Sequence, residues 1–296
     1  MKQTSIPLPG AARPRKIVDV HAHVGISKVY DWLGCRDPRE VIERSRNAGI
    51  DSSIISHLDA LYEPETKGLK ANSALLRAVE KQPGTFMWWV YDPRDADNAR
   101  VVREFADHPK IIGLKIGPTY HNYFFADYAK SILELAEQTG LAVLSHSGEE
   151  RDMPGALMPE LDRFPNVRFI VAHFGNCAAF EGHFQALAKC RSKQCFVDTS
   201  SAVSMYCDHI ERGVRKFGSG RFMFGTDTPL YSPAAQLARI VYSPLSDAQK
   251  RAVLGDNALR ALFDGAVARR SPNPKKREAN SSITGIQNLT GKRVTV

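Results

Sequence analysis

The chain predicts a (β/α)8 barrel, and three observations carry that expectation. Eight short runs rich in β-branched and aromatic residues recur at intervals of roughly 25 to 35 residues, the spacing of β/α units. Most of them are apolar without a clean polar alternation, as parallel strands covered on both faces are. Several end in polar side chains, and barrels of this kind keep their reactive groups at the carboxyl ends of the strands.

The first run, 17–23 (IVDVHAH), ends in His21 and His23, which alternation along a strand sends to one face. The second, 52–58 (SSIISHL), carries His57, and the third, 86–91 (FMWWVY), carries Trp89 and Tyr91. Lys115 lies in the fourth, 111–116 (IIGLKI), and His146 in the fifth, 142–147 (AVLSHS). The sixth, 168–173 (RFIVAH), ends in His173; the seventh, 195–200 (CFVDTS), in Asp198, Thr199 and Ser200; the eighth, 221–227 (RFMFGTD), in Asp227.

Helical segments fill the intervals. Residues 37–49 open with Asp37 as cap and Pro38 in the first helical position, and stop at Gly49. Residues 72–82, 95–108 and 127–140 follow the same grammar. In the last, Asp127 is expected to cap, Ile132, Leu133, Leu135 and Ala136 form the apolar face, and Gly140 ends the helix. Residues 232–263 add two or three short helices after the eighth strand. A doubly wound open sheet is the rival fold, but the HAHVGIS turn after the first strand is not a Gly-rich phosphate loop.

A length of 296 residues suits one such domain, expected over 17–265, with an N-terminal extension at 1–16 and a basic, disordered tail at 266–296. The tail holds seven Lys/Arg against Glu278, so +6 of the +8 formal charge belongs to it and only +2 to the remainder. A nearly neutral body argues against nucleic acid as partner. No apolar stretch reaches the length of a membrane span, and the N-terminus lacks the apolar core of a signal peptide, which points to a cytoplasmic protein. Five cysteines, odd in number and without a CxxC pair, argue against a disulfide framework or zinc knuckle. A small molecule is the expected partner, and a homo-oligomer is compatible with the composition.

Four of the nine histidines and Asp227 therefore fall at corresponding ends of different strands. Buried together without a cation they would leave polar groups unpaired, each at a cost of a few kcal/mol, on the order of 2–7. A divalent metal resolves that cost. Nitrogen and carboxylate donors without thiolates suit zinc first, with manganese, iron, nickel or cobalt as alternatives.

In this order, VDVHAHVG, GLKIGP, VLSHSGE, FIVAHFGN, FGTDTP and LGDNALRALF resemble the amidohydrolase superfamily over residues 17–263. The resemblance is to its amidohydrolase-related branch (amidohydrolase 2), which also contains the aminocarboxymuconate-semialdehyde-type decarboxylases. It implies a TIM barrel of the metal-dependent hydrolase type. It further implies that His21, His23 and His146 bind one Zn2+ or similar ion, with a second ion left open, and that Asp227 completes the site while moving protons. His173 becomes a catalytic base, an electrostatic helper or a ligand to a second metal. Lys115 is either carbamylated, as in binuclear relatives, or a cation for a substrate carboxylate. Gly117 departs from the GxKxHP pattern common among relatives.

The expected activity is hydrolysis of a small amide, lactone or ester by metal-activated water. The alternative is non-oxidative decarboxylation of a small carboxylic acid, placed second because the body is short for the insertions expected of such decarboxylases and the HSGEE turn is hydrolase-like. Lys115, His57, Trp89, Tyr91, Tyr120 and His121 are the candidate substrate contacts, with Phe124 and Tyr231 as further aromatic lining. A metal-dependent deoxyribonuclease, or a binding module using the basic tail, is the reading from another class.

Overall fold

A computed structural model describes residues 10–26, 28, 32, 34–176 and 180–264. The tail expected at 266–296, residues 1–9 of the expected extension and Cys177 lie outside the described residues.

The eight predicted strands are present as β1 (Val18–Ile26), β3 (Ser52–His57), β4 (Thr85–Val90), β5 (Ile111–Ile116), β6 (Ala142–Ser145), β7 (Phe169–Val171), β8 (Cys195–Asp198) and β9 (Phe222–Met223). A two-residue strand not foreseen from the sequence, β2 (Gly34–Cys35), pairs antiparallel with the end of β1. The remaining neighbours pair in parallel in the order β1-β3-β4-β5-β6-β7-β8-β9.

The two edges of this sheet meet. Val20 N donates to Phe224 O at 2.9 Å, His23 N to Thr228 O at 2.6 Å, and Asp227 N to His21 O at 2.7 Å. The segment that continues β9 is thus hydrogen-bonded to β1, and the parallel strands close into a barrel. A register shift between Asp19 and Ala22 bends β1 where it meets this segment.

The helices are α1 (Pro38–Asn47), α2 (Leu58–Tyr62), α3 (Pro64–Glu80), α4 (Ala96–Phe105), α5 (Pro118–His121), α6 (Phe125–Thr139), α7 (Pro154–Leu161), α8 (Phe180–Lys189), α9 (His209–Phe217), α10 (Pro233–Val241) and α11 (Asp247–Arg251), the last continuing into wider turns to Asp264. α1 starts as predicted: Asp37 accepts from Arg39 N and Pro38 follows it. α6 starts earlier than predicted. Phe124 is its N-cap, without a side-chain bond, and Asp127 lies inside the first turn, where a negative charge complements the helix end. Gly140, at φ 64°, closes it in the left-handed conformation that glycine adopts at little cost.

Two apolar layers result. Val18, Val20, Ile54, Trp88, Leu144, Ile170, Phe196 and Met223 form one cluster within the barrel, floored by Ala258, Leu259 and Leu262. The larger cluster lies between strands and helices and includes Val143, Phe169, Val171 and Val197 with Leu133, Phe184 and Leu237. Period two assigns alternate residues of β6, β7 and β8 to these layers and carries the inner row on to His146, Ala172 and Asp198. The polar residues therefore cap an apolar plug.

Candidate metal centre

β1 delivers His21 and His23 to the carboxyl end of the barrel, both buried. Their Nε2 atoms are 3.1 Å apart. Asp227, just past β9, brings Oδ1 to 2.9 Å from His23 Nε2 and 3.6 Å from His21 Nε2. All three donor atoms lie within 4.8 Å of one another.

Second contacts orient these donors. His21 Nδ1 lies 2.8 Å from Asp198 Oδ2 on β8, and His23 Nδ1 lies 2.8 Å from Ser56 Oγ on β3. Burial, with Lys115 beside it, pulls His21 down to about 3 against the pull of Asp198, so the ring is neutral. Burial raises the Asp198 carboxyl, but the hydrogen bonds it receives from His21 and Ser200 outweigh it and hold it below the usual carboxylate range. A carboxylate only accepts, so the His21 proton sits on Nδ1 and Nε2 presents a lone pair. Lys115 Nζ stands 3.1 Å from that lone pair, its amine pulled down to about 8 by burial.

Burial likewise raises the Asp227 carboxyl, while the His23 imidazole 2.9 Å away outweighs it and holds it below the ordinary range. Its Oδ1 is buried without a well-angled hydrogen bond. A lone pair on His21 and an anionic oxygen facing each other at 3.6 Å repel unless a positive charge lies between them. The donor set fits a divalent cation.

His146 and His173 stand beside this trio. Their rings are 5.0 Å apart, and His173 is 4.6 Å from the His21 ring, centroid to centroid. His146 is not in the convergent trio; its ring lies 4.7 Å from that of Tyr120. A second group, His21, His173 and Asp198, also has donor atoms within 4.8 Å. There the Ser200 hydroxyl does the joining: Oγ lies 3.0 Å from His21 Nδ1 and 2.9 Å from His173 Nδ1 and donates to Asp198 Oδ1.

His173 and Asp227 both have left-handed backbone, at φ 58° and 57°. Such a conformation costs a non-glycine residue on the order of 1–2 kcal/mol and persists where surrounding contacts dictate it. Asp198 Oδ1 accepting from His173 N at 2.9 Å is one such contact. Gly225 admits another: a Cβ there would come 3.0 Å from His21 Cβ and 3.1 Å from Ser200 Cβ.

The candidate substrate contacts separate into two groups. Tyr120, Phe124 and Tyr231 keep 37%, 44% and 39% of their surface exposed, and the Arg151 guanidinium sits 5.4 Å from the Phe124 ring. Trp89 and Tyr91 are buried in the layer between barrel and helices, where Trp89 Nε1 donates to Asn98 Oδ1 at 2.9 Å. His121 is buried, 3.9 Å from Asp92 Oδ2. His57 caps α2, its Nδ1 accepting from Asp59 N at 3.1 Å. Asp198 and Ser200 stood out at the end of the seventh run, yet sequence reasoning gave them no place in the site. Ser56, Asp19 and Thr226 carried no signal beyond belonging to strand ends.

The chain matches a family model described as amidohydrolase over residues 18–263. No curated protein matches it significantly. Among solved structures it resembles 5-carboxyvanillate decarboxylase from Sphingomonas paucimobilis, with 17% identity, TM-score 0.62 and coverage of 83% of this chain and 98% of that one. It also resembles 2,6-dihydroxybenzoate decarboxylase from Rhizobium, with 14% identity, TM-score 0.64 and coverage of 84% and 98%. Dihydroxybenzoic acid decarboxylase from a Polaromonas species, which holds manganese and the inhibitor 2-nitroresorcinol, matches with 13% identity, TM-score 0.67 and coverage of 84% and 97%. At these identities the likeness shows the fold.

These findings correct the expectation of a hydrolase. Several of the similar structures are decarboxylases and agree better with the alternative reading. The objection from length fails as well, since the chain spans nearly the whole of those decarboxylases. The physical reason for the error is that a cation-holding cluster at a barrel mouth serves either reaction, so its residues do not discriminate between them. No helix among the described residues is long and apolar enough to cross a membrane.

Proposed function

From the premise that the chain belongs to the amidohydrolase family, we propose that it is a divalent-metal-dependent decarboxylase, releasing carbon dioxide without oxidation from a small carboxylic acid. The observation that carries this reading is the convergence of His21 Nε2, His23 Nε2 and Asp227 Oδ1 in a buried cluster at the barrel mouth. The likeness to several decarboxylases supports this choice of reaction.

His21, His23 and Asp227 would hold the ion, and His146 is assigned as a fourth donor on the family resemblance. Zinc and manganese both suit two imidazoles and a carboxylate. When bound, the ion supplies positive charge that draws the substrate's oxygens and offsets the negative charge left as the carbon–carbon bond breaks.

The chain's own residues do the remainder. Asp198 and Ser56 aim the two imidazoles of β1. The carbon that loses carbon dioxide keeps the bonding pair and must take a proton. Asp227 and His173 are the groups assigned to that transfer: a proton taken from solvent is relayed through them to the carbon as carbon dioxide leaves. Ser200 holds His173 Nδ1 and so leaves Nε2 for the substrate side. Lys115 adds positive charge for an acidic substrate, and Tyr120 offers a ring face beside His146.

The test is metal analysis of purified protein together with carbon dioxide release from a panel of small aromatic and unsaturated acids. About one equivalent of metal is expected, for the group of His21, His23 and Asp227, with release abolished by a chelator and by Asp227→Asn. Metal-independent release, or none across the panel, would overturn the reading.

A further inference from the structure

Behind the mouth, one imidazole joins the two loops that carry His146 and His173. His183, on α8, is fully buried. Gly175 N donates to its Nδ1 at 3.1 Å. A backbone N–H can only donate, so Nδ1 is the acceptor and the ring proton sits on Nε2. That Nε2 lies 2.9 Å from Ser147 Oγ, and Ser147 Oγ donates to Ala172 O at 2.6 Å. Having given its own proton to a carbonyl, the hydroxyl accepts from the ring. Every donor and acceptor from Gly175 through His183 and Ser147 to Ala172 thus has one defined role.

The anchor points are informative. Ser147 directly follows His146, while Ala172 and Gly175 bracket His173. The bracketed loop departs from ordinary backbone at both His173 and Gly175, with φ 58° and 84°. A Cβ at Gly175 would meet the His209 ring at 2.4 Å, so the loop is pressed against α9 on its other side. A loop bent this way holds one shape only if its polar groups are tied, and His183 ties it to the neighbouring loop.

We propose that His183 is a positioning residue that, through Ser147, sets the placement of the His146 ring relative to the His173 ring, 5.0 Å between centroids. Its effect on turnover rests on the decarboxylase reading above; its effect on geometry does not. None of the metal-donor atoms takes part in this chain of bonds. The imidazole works from behind, fixing where two mouth residues stand.

Two variants test it. Ser147→Ala severs the chain at its centre by removing one hydroxyl, and His183→Leu removes the link altogether. In crystals of Ser147→Ala the two rings are expected to shift apart or to split into alternative positions. Turnover should fall roughly 10- to 100-fold, the range seen when groups supporting a site are removed, with KM changed less than about twofold. Ser147→Thr, which keeps the hydroxyl, should restore the wild-type value, and the double variant should be no worse than the more damaging single variant, because both cut one chain. If Ser147→Ala leaves both rings in place, the proposal is overturned, and it alone decides should His183→Leu fail to fold. Were the wild-type chain to decarboxylate nothing, the functional reading would fail while the ring positions still tested the link.

Discussion

Asp198 and His21, 177 residues apart in the chain, meet through a 2.8 Å contact between Oδ2 and Nδ1, with both side chains buried. Asp198 also receives His173 N and Ser200 N on Oδ1. One carboxylate from β8 therefore dictates the tautomer of one imidazole and the backbone position of another. Asp198→Asn keeps the size of the group but weakens its hold on the Nδ1 proton. Metal affinity, measured by competition with a chelator, should fall about 10- to 100-fold, with the circular dichroism spectrum unchanged. Unaltered affinity would show that His21 needs no such partner.

The left-handed backbone of His173 separates stability from activity. Both His173→Ala and His173→Gly remove the imidazole, but only glycine adopts φ 58° freely. Urea denaturation should find the glycine variant more stable than the alanine variant by about 1 kcal/mol, with both lacking turnover. The reverse order would mean that the loop relaxes when the ring is lost.

Gly225 lets β9 approach β1. A methyl group there meets His21, Ser200 and, at 3.3 Å, Asp198 Cγ. Gly225→Ala should cost about 1–3 kcal/mol of stability, as overpacking of a tight interior does, and should loosen metal binding because the crowded atoms are those that orient His21. Wild-type affinity together with wild-type stability would refute the crowding.

Asp19 provides a pH signature. Its Oδ2 accepts from Thr226 Oγ1 at 2.6 Å and its Oδ1 from Thr226 N at 3.0 Å, tying β1 to the segment that closes the barrel. Burial pushes its carboxyl up to about 7, against these hydrogen bonds. A carboxyl raised above its unfolded value contributes stability that is complete below that unfolded value and is lost as pH rises through the folded one. The metal-free protein should therefore lose stability relative to Asp19→Asn between pH 5 and pH 8, by an amount on the order of 2–4 kcal/mol. A difference constant over that range, measured by urea denaturation, would contradict the assignment.

Much of the architecture is legible in the sequence. The runs that became β3, β5 and β8 start where their residue types and spacing said they should, and Asp37-Pro38 and Gly140 work as start and stop signals because capping depends on residues within one turn. Asp127 misled for the same local reason: it is a good cap by type, but Phe125 and its neighbours are apolar enough to extend the helix past it into the core. Trp89, read as lining from its place near a strand end, faces Asn98 and Phe105 instead, because strand parity around the barrel decides which side chains look inward.

By itself, then, the sequence determined the eight-unit barrel and the pairing of His21 with His23, both consequences of short-range periodicity and backbone preference. Tertiary folding alone sets Asp227 beside that pair, His146 beside His173 and Tyr120, and Asp198 behind His21. The physical reason is distance along the chain. Atoms separated by well over a hundred residues come within a hydrogen bond only through barrel closure, the irregular register of β1 and two residues bent into left-handed backbone, none of which a local pattern encodes.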